Sequence, residues 1–272
     1  MRWGEQGTTK GEQQYDEEGH SNIVLAEVKR PAPEVDKGQE RGEGDQPSRG
    51  RGDEGGGGLA VKQPNNVNAL SEFGRVRLSK TFFMRDFLFS DIAAIHGFNN
   101  VPDDPDLAIA AGTKLCEELL EPLQDRFGRI AIRSAYRSPE VNGFGNVMQK
   151  EGKSGYTCAD NESNYAAHIW DRRDKAGRMG ATACIIVPRF HDQFSAEGDW
   201  TKLAWWIHDH LPYSSLHFFP KFWAFNISWR EDPERRIDSY VAPRGCLTKP
   251  GTPNHEGSHA KEWAGIESAM IA

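Results

Sequence analysis

Three side chains able to ligate a metal, His168, Cys184 and His217, stand in a region rich in strand-forming residues. Tyr165 to Asp171 and Gly180 to Val187 read as the two arms of a hairpin, with Asp174-Lys175-Ala176-Gly177-Arg178 as its turn. Gly177 suits the positive φ that such a turn requires. A turn centred on Ala176 sets His168 directly opposite Cys184, and opposed side chains of an antiparallel pair have Cβ atoms about 4.5–5.5 Å apart. Imidazole plus thiolate is a donor pair that zinc accepts. A third ligand would come from His217, Asp171 or Asp174. The same pair also reads as a histidine packed beside a buried thiol. A second constellation lies in Trp223 to Trp229. Trp223, Phe225, Ile227 and Trp229 alternate with Ala224, Asn226 and Ser228, giving one bulky face and one small, polar face that suits the floor of a pocket. His208 and His210 are two apart on a helix, point to different sides, and do not form one site.

The elements that must position these groups follow from periodicity and punctuation. Asp104 as N-cap and Pro105 at the first helical position open a helix that runs to about Arg126. Its apolar stripe is Leu115, Leu119, Leu123 and Phe127; Pro122 should kink it and Gly128 should stop it. Arg129 to Ser134 alternates as a strand. Tyr136 to Pro139 leaves it in a loop, and the Gly-, Ser- and Asn-rich residues 143–163 read as one long loop. Asp199 caps a second helix over Trp200 to Leu211, and Tyr213 to Phe219 and Trp223 to Trp229 follow as strands around Pro220. The expected fold class is α+β, with a mainly antiparallel central sheet packed against helices.

Composition sets the frame around this domain. Residues 1–66 are poor in large apolar side chains and include the glycine run Gly55 to Gly58, so they read as a disordered tail. Residues 67–248 form the folded domain and residues 249–272 a loose C-terminal tail. The net charge of −7, with both signs interspersed, leaves no footprint for nucleic acid. No apolar run is long enough to span a bilayer. Met1-Arg2-Trp3-Gly4-Glu5 lacks the apolar stretch of a secretory signal, so the cytoplasm is the default expectation, although a start site further along the chain would fit equally well. The cysteines, Cys116, Cys158, Cys184 and Cys246, match no paired zinc or redox spacing and are expected as reduced, partly buried thiols.

Ile132-Arg133-Ser134-Ala135-Tyr136-Arg137-Ser138-Pro139-Glu140-Val141-Asn142 resembles the S-G-Y-R-S-P-x-x-N segment of zinc D-alanyl-D-alanine carboxypeptidases and L-alanyl-D-glutamate endopeptidases, whose fold the Hedgehog-like peptidases share. Asn100-x-Pro102, Gly180 to Ile185 (similar to G-x-A-A-D-I) and Trp223 to Ser228 (similar to W-x-x-H-x-S) recur in the same order, so the resemblance covers about residues 79–230. It implies a cleft in which Arg137 and Ser138, with Asn226 and Ser228 below them, bind substrate. It also implies zinc held by His, Asp and His beside a carboxylate base. Here Cys184 replaces the aspartate, Asn226 the last histidine and Trp223 the base. Neutral Asn is a poor zinc ligand, thiolate weakens Lewis acidity, and loss of a general base costs about 10²–10⁴-fold in rate. These departures favour a chain without zinc. The expectation is a degenerate peptidase-like domain that binds a peptidoglycan-type peptide or a protein partner in the old cleft. An active zinc peptidase using His168, Cys184 and His217, and a structural protein that keeps only the fold, are the alternatives.

Overall fold

The computed structural model describes residues 61–194 and 196–266, and most of the expected N-terminal tail lies outside them. Among the described residues no helix is long and apolar enough to cross a membrane. Helices α1 (Val67–Gly74) and α2 (Asp91–His96) precede the long helix expected from Pro105. That helix starts as read: the Asp104 carboxylate accepts the Leu107 N–H at 3.0 Å, with Pro105 next to it. It runs as α3 (Pro105–Leu115), a π-helical turn over Cys116–Leu120, and α4 (Glu121–Phe127), closed by Gly128 at φ 80°. Pro122 has no N–H and its ring crowds the preceding turn. The widened turn, closed by Glu121 N–H to the Cys116 carbonyl, is where the helix absorbs that conflict.

Strand β1 (Ala131–Ser134) follows as expected. The long loop does not. Pro139–Lys150 is helix α5, started by Ser138, whose Oγ accepts the Val141 N–H at 3.3 Å, and Asn161–Asn164 is the short helix α6. Gly143 and Gly145 made this stretch read as loop. In the structure they allow close packing: a Cβ on Gly145 would lie 2.6 Å from Cys158 Sγ and 2.9 Å from Ile92 Cδ1.

The hairpin expectation is also corrected. Gly180–Ile186 is strand β2, but Tyr165 to Asp171 is no strand. The Asn164 carbonyl accepts both Ala167 N–H and Ile169 N–H, and Ala166 sits at φ 54°, so the chain coils. A single bond from Thr182 N–H to the Ala167 carbonyl joins it to β2. Cys184 is therefore not opposite His168; its partners are Ser134 and Asn226. The turn itself is present: Asp174 Oδ1 accepts Ala176 and Arg178 N–H at 2.9 Å each, and Gly177 has φ 79°.

After α7 (Pro188–Gln193) and α8 (Trp200–His210) come β3 (Ser215–Phe218), β4 (Phe225–Arg230), β5 (Arg236–Ser239) and β6 (Gly245–Thr248). Asp199 precedes α8 but its side chain caps nothing there; it takes Ala196 N–H and Lys202 Nζ instead. The six strands form one sheet in the order β1-β2-β4-β3-β5-β6, and only β3–β5 is parallel. The α+β class and the mainly antiparallel sheet are as expected. One face, with Ala183, Ile185, Ile227, Leu216 and Ile237, is fully buried in the core with α3, α4 and α8.

The stretch from Lys249, expected to trail loosely, packs back on α8. Asp209 of α8 accepts His259 N–H at 2.8 Å, His259 Nδ1 at 2.7 Å and Trp263 Nε1 at 2.8 Å, and Ile266 is fully buried.

Candidate functional site

The other face of the sheet is polar, and its register aligns the groups singled out from sequence. Residues directly opposite in adjacent strands share a face. Ser134 pairs with Cys184, Cys184 with Asn226, Asn226 with His217, and His217 with Asp238. They form one row across five strands, in steps of about 4.8 Å. The bulky-and-polar alternation read in β4 is thus real: Phe225, Ile227 and Trp229 are buried in the core, and Asn226 is half-buried on the polar side. Trp223 does not extend the strand. It lies in a 3₁₀ turn at φ 48°, its ring 5.1 Å from that of His191.

Above this row runs the segment from β1 to α5. Asn100 holds it. Its Nδ2 donates to the carbonyls of Leu88 (2.8 Å) and Tyr136 (2.9 Å), and its Oδ1 accepts Ser138 N–H at 2.8 Å. Arg137, between the two clamped residues, donates its own N–H to the His168 carbonyl at 2.8 Å, and His168 Nδ1 bonds the Ala135 carbonyl at 2.8 Å. The coil around His168 and the loop around Arg137 therefore lock each other. The Nδ1 bond to a carbonyl requires a proton on Nδ1, so the imidazole is neutral with its lone pair at Nε2. Burial first, and then the Arg137 charge, push the His168 pKa down to about 3.

The Arg137 guanidinium reaches Cys158 Sγ with Nη1 at 2.9 Å, while its Nε is buried without a partner. Burial lowers its pKa; the Cys158 and Cys184 thiols act in the opposite direction. Burial raises the Cys184 pKa, and the charges of Arg133 and Arg137 oppose that rise. Arg133 is the extra residue of a bulge between Ile132 and Ser134, which turns its side chain toward Cys184. Two arginines thus converge on Cys184. Among the described residues neither has a carboxylate partner.

The remaining expected residues divide. Ser138 is 5% exposed and its hydroxyl is spent capping α5. Ser228 is buried and bonds Thr182 Oγ1 at 2.7 Å, so it underlies the floor without opening onto it. The Asn226 amide is half-buried and, among the described residues, has no hydrogen-bond partner. His217 Nε2 is buried and unpartnered. Arg133, Cys158 and Asn100 were not assigned roles from sequence. A bulge and a contact 21 residues away leave no local signal, and Asn100 stood in a turn whose partners were unknown.

His168, Cys184 and His217 do not fit a zinc ion. Cys184 and His217 are two strands apart with Asn226 between them, about 10 Å along the row. Zinc needs donors about 2.0–2.3 Å away on every side. Two guanidinium charges beside Cys184 also oppose a dication. Among the described residues no three His, Cys, Asp or Glu side chains are grouped to hold a metal. A separate surface cavity of about 470 Å³ lies by α8, lined by His208, Arg235, His255 and Trp263 among others. Its polar groups are largely spent within the protein: His208 on Tyr213 and the His255 carbonyl, Arg235 on the carbonyls of Leu211 and His208. Comparison with protein-family models, curated proteins and solved structures finds no match to this chain.

Proposed function

We propose that the chain is a non-catalytic binding domain of the D-alanyl-D-alanine carboxypeptidase type. In this reading it holds the C-terminal carboxylate of a peptidoglycan-type peptide above Cys184, against Arg133 and Arg137. The observation that carries this reading is the pair of arginines without a carboxylate partner, one with a buried, unpaired Nε. A buried charge needs a counter-charge, and a forked guanidinium suits a carboxylate. Asn226 adds a free amide one strand further on, matched to the peptide group that follows a C-terminal residue. No carboxylate base stands in the cleft, because Trp223 occupies that position and faces His191. The arginine pair disfavours the alternative of a zinc peptidase with rearranged ligands.

The test is fluorescence anisotropy with a dye-labelled peptide ending in D-Ala-D-Ala, as free acid and as C-terminal amide. Loss of a charge-assisted hydrogen bond costs about 1.5–3 kcal/mol, so Arg137→Gln is expected to weaken binding of the acid roughly 10- to 100-fold. The amide should bind the wild-type protein as poorly as the acid binds the variant. Equal binding of acid and amide, or no effect of Arg137→Gln, would sink the proposal.

A further inference from the structure

Beyond Asn226 the polar row ends at an aromatic wall. The His217 ring lies 5.2 Å from Phe219, nearly parallel at 24°, and 4.4 Å from Tyr240, while Phe219 and Tyr240 are 5.9 Å apart. Phe219 and Tyr240 lie on the same side as the row, two residues along from His217 and Asp238. Tyr240 is 43% exposed, unusual for so large a ring on a packed sheet. His217 Nε2, buried and without a partner, lies on this wall.

We infer that the wall formed by His217, Phe219 and Tyr240 is a second subsite, taking an uncharged apolar side chain two residues upstream of the ligand's C-terminal residue. The inference rests on the carboxylate reading above. Its spacing comes from the sheet. From Cys184 to His217 is two strand steps, about 10 Å, and an extended peptide covers about 3.3–3.6 Å per residue. A chain anchored by its carboxylate near Arg137 therefore brings its third residue from the end to the wall, with a peptide group over Asn226 on the way. The chemistry comes from what the wall offers. Asp238 would give it a negative charge, but Arg236 spends both Asp238 oxygens, at 2.6 and 2.9 Å. What remains is ring surface, which rewards apolar contact and gives an ammonium no counter-ion.

The experiment compares three N-acetylated probes, with Gly, Leu or Lys before D-Ala-D-Ala, by calorimetry on the full chain. The leucyl probe is expected to bind at least fivefold tighter than the glycyl and lysyl probes. Tyr240→Ala should bring it down to the glycyl level, and Arg137→Gln should weaken all three. Equal binding of Leu and Gly, a preference for Lys, or a Leu preference that survives Tyr240→Ala would overturn the subsite while leaving the carboxylate reading standing. Failure of all three probes to bind, or indifference to Arg137→Gln, would remove both.

Discussion

Arg137 and His168 form a unit in which each backbone fixes the other's side chain, and the neutral state of His168 is part of it. A histidine whose pKa falls to about 3 in the folded protein must stay uncharged, whereas in the unfolded chain it titrates near 6.5. Below pH 6.5 the unfolded state binds more protons, so the stability His168 contributes is fully present above that value and is lost as pH falls toward 3. Urea unfolding at pH 7 and pH 4 should show a drop of order 3 kcal/mol from this residue, which His168→Gln would flatten; an unchanged pH slope in the variant would contradict the assignment. Arg137 and Asn226 were legible because short local patterns placed them, Tyr-Arg-Ser-Pro in one case and strand alternation in the other. Arg133 and Cys158 were not, since a bulge and a tertiary contact decide where they point. Ser138 was legible as a residue and misread as a role. Ser-Pro-Glu is a helix start, and the glycines that follow it hid the helix.

At the scale of elements, small residues mark where chain segments press together. Gly180 is the sharpest case. A Cβ there would come 2.4 Å from the Ala166 carbonyl oxygen and 2.8 Å from that of Trp229, both backbone atoms that cannot swing aside. Gly180→Ala should cost about 2–3 kcal/mol by urea unfolding, and it should loosen the coil that carries His168. An unaltered midpoint would show that this coil yields more easily than its contacts imply. The long helix from Pro105 was legible because cap, stripe, proline and glycine all agreed. Helix α5 was hidden because two glycines that serve packing against Cys158 and Asn161 look like loop residues. The hairpin failed for a related reason: alternation can suggest a strand, but the two bonds to the Asn164 carbonyl curl Tyr165 to Ile169 into a coil. Strands β5 and β6 are four residues each, too short to show a period.

For the molecule as a whole, the sheet divides the work. Its apolar face builds the core, and its polar face carries the row from Ser134 to Asp238. The segment after β6 closes the α8 side. Burial pushes the Asp209 carboxyl up, but donors from Trp263 and His259 outweigh it and hold the group below the usual carboxylate range. His259 also stacks on Trp205 at 4.2 Å. His259→Ala should cost about 2–3 kcal/mol, read as a lower unfolding midpoint, because it strips Asp209 Oδ1 of its partner and uncovers Trp205. Peptide binding at the polar face should be unaffected in the folded variant. The segment was read as a tail because Pro, Gly, Asn and His dominate it; its attachment depends on Asp209, fifty residues earlier. The central claim is that a peptide carboxylate sits at Arg137 over the polar row. Titrating ¹⁵N-labelled protein with N-acetyl-D-Ala-D-Ala tests it most directly. Saturable shifts confined to the amides of residues 133–138, 184 and 226, absent in Arg137→Gln, are the predicted result. No shifts, or shifts centred on the α8 cavity around His255, would contradict it.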